Sequence, residues 1–379
     1  MCDFYEQIKP QVRALHAYTL APEHARVKVN QNENAFELPE AIKQASVRRL
    51  LEQKWSRYPE FTSDELNEQI ARFNGWRANG VLAGNGSNEL IQALLMVTLE
   101  ANKKMLICEP TFALYRQVAT VFGGEVVSVP LASDFHFDAD ALLDAARRES
   151  PSVTIICSPN NPTGTCLAES ALVELLETCG GIVAVDEAYF EFAESTIAGL
   201  LKRFENLVVL RTFSKAMAMA GLRAGYLLAA PALAREIGKA LLPYNLDLLS
   251  QTTVQVALEM YDAELVPLIR KLIAERARLH DAIANIEGLM PYRSRANFIL
   301  VRSIDPLITP REIFAEMLKR DCLIRNVSGN HPSLAGCFRV SVGTPEENDH
   351  VIKSLRDTFD EKRTRAVSEA ERHAETAAR

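Results

Sequence analysis

No apolar run in the chain approaches the roughly 20 residues that a membrane-spanning helix needs, so insertion in a bilayer is not expected. Met1 to Pro10 carries acids where a secretory leader needs a basic start and an apolar core. A basic excess is also missing. Lys and Arg total 42 against 49 Asp and Glu, a formal charge of −7, which gives no electrostatic reason to expect nucleic acid as a partner. The seven cysteines, Cys2, Cys108, Cys157, Cys166, Cys179, Cys322 and Cys337, form no C-x-x-C pair and have no histidine partner nearby. Buried, reduced thiols are therefore expected rather than a disulfide framework or a zinc site, and no metal is expected. No internal repeat is apparent. What remains is a cytoplasmic protein that works on small molecules.

The 379 residues suit two domains, and 48% hydrophobic with 24% charged residues is the balance of an ordinary globular protein. Residues 1–29 form an arm of little periodicity. Helices are expected over about 39–54 and 63–73. From about 104 to 230 short apolar runs alternate with helical patterns: 105–108, 125–129, 153–157, 182–185, 207–211 and 225–228 read as strands. Repeated βα units with near-continuous apolar strands imply a largely parallel sheet covered on both faces. Beyond Pro243, long helical patterns over about 250–286 precede the mixed strands and helices of a smaller α+β domain. A helix from Glu346 to about Asp360 closes it. Residues 361–379 lack an apolar face and read as a frayed helix or flexible tail.

In such sheets ligands collect at the carboxyl ends of the strands, and those ends carry the chemistry. They read Glu109-Pro110-Thr111-Phe112 through Tyr115, Ser158 to Gly164, Asp186-Glu187-Ala188-Tyr189, and Thr212-Phe213-Ser214-Lys215. Lys215 offers an amine that can form an imine; Ser214 and Arg223 can hold a phosphate. A lysine after a strand can equally be a solvated charge. Gly84-Asn85-Gly86-Ser87-Asn88 makes a tight turn into a helix whose first amides suit an anion, although plain capping explains the same residues. Asn30-Gln31-Asn32-Glu33-Asn34 is an amide-rich loop that either binds a polar group or forms Asx turns.

Taken in order, Asn32-Glu33-Asn34, Arg57-Tyr58-Pro59, Gly84 to Ser87, Ser158 to Gly164, Asp186 to Tyr189, Ser214-Lys215 with Arg223, and Arg339 before Gly343-Thr344-Pro345-Glu346-Glu347 resemble the class I/II aminotransferases. These are fold-type I enzymes dependent on pyridoxal 5'-phosphate. The likeness spans about residues 8–358, and within the family it is to members that act on L-histidinol phosphate. It implies an α/β fold: a large cofactor domain (55–246) with a mostly parallel seven-stranded sheet, and a smaller α+β domain (30–54 and 247–360).

The resemblance also implies roles. Lys215 would carry the cofactor and move the proton at the substrate α-carbon. Asp186 would keep the pyridine nitrogen protonated, Asn161 and Tyr189 would bond the ring oxygen, and Tyr115 would stack on the ring. Ser87, Asn88, Thr212, Ser214 and Arg223 would cradle the phosphate, reached also by Tyr58 of a neighbouring subunit, which implies a homodimer with shared active sites. Arg339, Arg325, Tyr18 and Asn34 would bind substrate. The implied reaction moves an amino group between L-histidinol phosphate and 2-oxoglutarate. An aromatic amino-acid aminotransferase, a decarboxylase of a phosphorylated amino acid and a non-catalytic cofactor-binding protein are the alternatives. Ala35 stands where the family usually has proline after Asn-Glu-Asn, a departure that touches specificity.

Overall fold

The computed structural model of the protein describes residues 4–16 and 23–377. A two-residue strand, β1 (Val27–Lys28), precedes seven strands of one sheet: β2 (Val81–Gly84), β3 (Lys104–Glu109), β4 (Glu125–Pro130), β5 (Val153–Cys157), β6 (Ile182–Asp186), β7 (Leu207–Thr212) and β8 (Gly225–Ala229). Their spatial order is β2-β8-β7-β6-β5-β3-β4. Neighbours from β4 to β7 run parallel, while β8 is antiparallel to both β7 and β2. The mostly parallel seven-stranded sheet is thus present. Its seventh member, β2, is four residues long, ends on glycine and gives little periodic signal in the sequence.

Both faces of this sheet are buried, as the apolar runs require. Alternate residues of β7 enter different cores: Leu207 and Val209 pack on one side with Leu106, Ile156 and Val185, and Val208 and Leu210 on the other with Ile107, Ile155 and Leu227. This is the two-residue period of a strand with helices on both sides. The chain passes from β3 outward to β4 and then returns to place β5 on the other side of β3. That reversal opens a crevice at the carboxyl ends of the central strands.

The second sheet is built from β9 (Leu289–Pro291), β10 (Phe298–Ser303), β12 (Arg325–Asn326) and β13 (Cys337–Ser341), all antiparallel, in the order β12-β13-β10-β9. β11 (Cys322–Leu323) pairs instead with β1. Its core gathers Ile299, Val301, Phe338, Val340, Leu355 and Phe359. The helical patterns expected over about 250–286 are two helices, Leu248–Glu259 and Val266–Ala284, separated by a π-helical turn at Tyr261–Leu265, beside Pro267, which cannot donate a backbone bond.

The last helix runs Pro345–Ala377, well beyond Asp360. Its apolar stripe ends at Phe359, but the next turn is tied down by Arg320–Glu361 and Lys362–Glu312 pairs, both at 2.7 Å. Strong helix formers carry the rest. The flexible tail expected from residue 361 is therefore helix as far as the described residues extend. Five of the six described cysteines are buried and one, Cys166, is half-buried; burial pushes the Cys108 and Cys322 thiols up to about 12.

Candidate active site

The crevice opens into a cavity of about 530 Å³, walled by the carboxyl ends of β3, β5, β6 and β7, and faced across by Arg325, Val327, His331, Leu334 and Arg339. Twelve of the fifteen residues singled out from the sequence line it: Ser87, Asn88, Tyr115, Asn161, Asp186, Tyr189, Thr212, Ser214, Lys215, Arg223, Arg325 and Arg339. These come from widely separated stretches of chain that the fold brings together.

Lys215 follows β7, and its Nζ donates to the Gln31 carbonyl at 3.2 Å. Burial and the charges of Arg339 and Arg223 lower its pKa to about 8, against the pull of Glu33 and Asp186. An amine with such a value is substantially neutral, and hence nucleophilic, near physiological pH.

Asp186 ends β6 and is 3% exposed. Its Oδ2 accepts from the Tyr115 hydroxyl at 2.6 Å, and its Oδ1 accepts from the Ala188 amide at 3.1 Å. Burial raises its pKa even though both donors pull it down. A buried carboxylate held by neutral donors suits a cationic ring nitrogen as counter-charge. The Tyr189 hydroxyl accepts from Asn32 Nδ2 at 3.1 Å and Asn161 Nδ2 at 3.4 Å. The Asn161 carbonyl in turn accepts from the Arg339 guanidinium.

Opposite these groups lies an anion cradle. Gly86, with φ +75°, opens the helix Gly86–Thr98, so that the amides of Ser87 and Asn88 are among its unpaired first-turn donors. Arg223 Nη1 donates to Ser214 Oγ at 3.1 Å, and the Thr212 hydroxyl lies two residues before Ser214. The backbone closes in tightly. A Cβ on Gly86 would stand 2.7 Å from Arg223 Nη2, and one on Gly225 would stand 2.6 Å from the Ser87 nitrogen. Amine, buried carboxylate, ring-oxygen donors and cradle together fit pyridoxal phosphate.

Arg325 and Arg339 are direct cross-strand partners on β12 and β13, so their side chains leave the same face of the sheet. Arg339 Nη2 donates to the Asn30 carbonyl at 2.9 Å. Two adjacent guanidinium groups make a strong site for a carboxylate or phosphate.

Two expected placements, those of Tyr115 and Asn34, differ. Tyr115 is fully buried, with its hydroxyl on Asp186, so it supports the carboxylate from behind. The neighbouring aromatic ring on the cavity wall is Phe112, edge-on to Tyr115 at 5.5 Å. Asn34 does not line the cavity; its Nδ2 donates to the carbonyls of Lys215 and Ala216 at 3.1 and 3.0 Å, holding the lysine's backbone. Tyr58 is 79% exposed and stacks on Tyr244 at 4.5 Å, away from this chain's cavity. Tyr18 falls outside the described residues.

Asn32, Phe112 and Glu109, which the sequence placed at a strand end or in the amide loop without a role of their own, also line the cavity, as do Arg116 and His331, which sequence reasoning missed. The amide cluster was the available signal for Asn32. Behind the cavity, Arg211 and Glu187, both 3% exposed, form a buried ion pair at 2.7 Å, one residue from Thr212 and Asp186 respectively.

The family described as Aminotransferase class I and II matches residues 26–355. A curated histidinol-phosphate aminotransferase of Chlorobaculum parvum is 36% identical over 356 residues, covering 93% of this chain and 99% of that protein. One from Chlorobium phaeobacteroides is 37% identical, covering 95% and 99%. The crystal structure of histidinol-phosphate aminotransferase from Sinorhizobium meliloti in complex with pyridoxal-5'-phosphate superposes with a TM-score of 0.82 at 24% identity, covering 93% of this chain and 97% of that one. With a family match and near full-length relatives behind it, this chain belongs to the class I and II aminotransferases.

Proposed function

We propose that the protein is a pyridoxal-phosphate-dependent aminotransferase that moves the amino group of L-histidinol phosphate to 2-oxoglutarate, giving imidazole-acetol phosphate and glutamate, as a step of histidine biosynthesis. The observation that carries the substrate reading is the Arg325–Arg339 pair beside the amine-bearing cavity. One donor presents a phosphate and the other a carboxylate, and two adjacent forks can grip either. The names of the relatives agree with it.

When bound, pyridoxal phosphate supplies a carbonyl carbon that condenses with amines and a conjugated ring that accepts the electron pair left at the substrate α-carbon. The chain's own residues do the rest. Ser87, Asn88, Thr212, Ser214 and Arg223 would hold the phosphate. Asp186 would hold a proton on the ring nitrogen, and Tyr115 would keep its carboxylate aimed. Asn161 and Tyr189 would bond the ring oxygen. Lys215, freed by the incoming amine, would take the proton from the substrate α-carbon and return it on the cofactor side. Arg325 and Arg339 would orient the substrate's anionic end.

The same reading makes the protein a cytoplasmic homodimer. Leu51, Trp55, Tyr58, Phe61 and Leu242 are each more than 60% exposed, an apolar surface that suits burial against a second copy. Tyr58 would then reach the partner's phosphate site. Light scattering should give twice the chain mass, and a monomer would remove this part of the proposal.

Purified protein loaded with the cofactor should lose its visible absorbance with glutamate and regain it with 2-oxoglutarate. An unchanged spectrum would refute the transfer reaction. A higher kcat/KM for phenylalanine or tyrosine than for histidinol phosphate would make it an aromatic aminotransferase instead.

A further inference from the structure

The cavity has polar lining that neither the cofactor nor the arginine pair uses. Glu109, at the end of β3, lines it together with Arg116, Asn330 and His331. Arg116 Nε donates to Glu109 Oε1 at 3.0 Å, while Arg116 Nη2 and Ser128 Oγ donate to Oε2 at 2.7 and 2.6 Å. Among the described residues Oε1 therefore has one donor, and a carboxylate oxygen can accept two. Burial works to raise this carboxyl, but Arg116 and Ser128 outweigh it and keep the carboxyl ionised.

His331 approaches from the other side, on the loop after β12. It caps the short helical turn Pro332–Leu334, its Nδ1 accepting from the Ser333 amide at 3.3 Å and lying 2.9 Å from the Ser333 hydroxyl. A neutral imidazole carries one donor and one acceptor. With Nδ1 committed as acceptor, the proton sits on Nε2. The rim thus carries one fixed N–H donor and one anionic acceptor on opposing parts of the chain.

We propose that Glu109 and His331 form the subsite that reads the imidazole ring of the amino donor, His331 Nε2–H donating to its bare nitrogen and Glu109 Oε1 accepting from its N–H. This rests on the histidinol phosphate reading above and adds the means of selection. With the donor's phosphate on Arg325 and Arg339, its ring is left to the remaining lining, where Phe112 offers an apolar wall and the rim offers a donor and an acceptor. A phenyl ring of similar size satisfies neither polar group and leaves both desolvated, which is how a hydrogen-bonding site rejects an apolar analogue.

The test uses full-length holoenzyme with histidinol phosphate, phenylalaninol phosphate and glutamate as amino donors. His331→Asn keeps an oxygen that can cap Ser333 but is too short to present the far N–H; His331→Leu removes both. His331→Asn should raise KM for histidinol phosphate about ten-fold, equivalent to about 1.4 kcal/mol, with kcat little changed. KM for phenylalaninol phosphate and for glutamate should stay within about two-fold. An unchanged KM for histidinol phosphate in both variants, or an equal rise for phenylalaninol phosphate, overturns the subsite. If wild-type enzyme does not turn over histidinol phosphate, the functional reading itself fails; if it does and the variants behave as wild type, only this inference fails.

Discussion

Replacing Arg211 with methionine tests how the catalytic strand ends are held. The guanidinium is 3% exposed and donates to Glu187 Oε2 through Nε at 3.0 Å and Nη2 at 2.7 Å. It also donates to Asn74 and Thr196 and lies 3.7 Å above the Phe190 ring. Methionine fills much of the same volume, so packing against Phe190 largely survives. Glu187 keeps its bonds from the Thr196 hydroxyl at 2.9 Å and the Ile197 amide at 2.8 Å, yet its buried charge loses its counter-ion. Asn74 retains a bond from Tyr226 at 3.3 Å and adds little to the cost. Breaking a buried pair from one side costs about 3–5 kcal/mol, whereas replacing both members with apolar residues is often close to neutral. Arg211→Met should therefore lose about 3–5 kcal/mol in urea unfolding followed by Trp55 and Trp76 fluorescence, and Arg211→Met with Glu187→Met should recover most of it. Since Glu187 follows Asp186 and Arg211 precedes Thr212, the single variant should also lower kcat. A single-variant loss below about 1 kcal/mol, or a double variant worse than the single, would refute the argument.

Three further outcomes are expected. Gly225→Ala, whose Cβ would meet the Ser87 nitrogen at 2.6 Å, should weaken cofactor affinity at least about ten-fold by fluorescence titration, whereas Gly221→Ala, with nothing within 4 Å, should leave it unchanged. Glu191 is buried with Oε2 lacking a hydrogen-bond partner, and burial raises its pKa from 4.5 to about 8. The folded chain then keeps a proton that the unfolded chain releases, so stability falls as pH rises between those values; Glu191→Gln should flatten that slope and stabilise by about 2–4 kcal/mol near pH 7.5. With Lys215 at about 8, roughly a quarter of the amine is neutral near pH 7.5, against roughly a thousandth for an exposed lysine. Stopped-flow capture of pyridoxal phosphate by the apo-protein should accelerate up to about pH 8 and then level; a rate still climbing at pH 10 would place the amine in an ordinary environment.

Local pattern carried much of this molecule. The apolar runs at 182–185 and 207–211 are strands because both faces are buried, and rules about strand ends led from them to Asp186 and Lys215. What escaped depends on register and direction. Phe112 and Tyr115 stand three apart in one motif; the helix begins at Leu114, which leaves Phe112 in the loop at the cavity and turns Tyr115 inward to Asp186. The pairing of Arg325 with Arg339 follows from strand alignment across an intervening loop, which no window of sequence encodes. Arg211 reads as a polar strand terminus, and only the parallel pairing of β6 with β7 gives it Glu187. Asn34 shares a loop with the cavity residues Asn30, Gln31 and Asn32, but the direction of its amide is a tertiary property.

The glycines at the phosphate cradle bear on how such a site can change over time. Its donors at Ser87 and Asn88 are main-chain amides, so the side chains there are free to drift without altering what the anion meets. The constraint falls on Gly86 and Gly225, where any added carbon would collide with the cradle. Mutational tolerance should therefore be inverted at this spot: permissive at positions that touch the ligand, intolerant at positions that merely leave room for it.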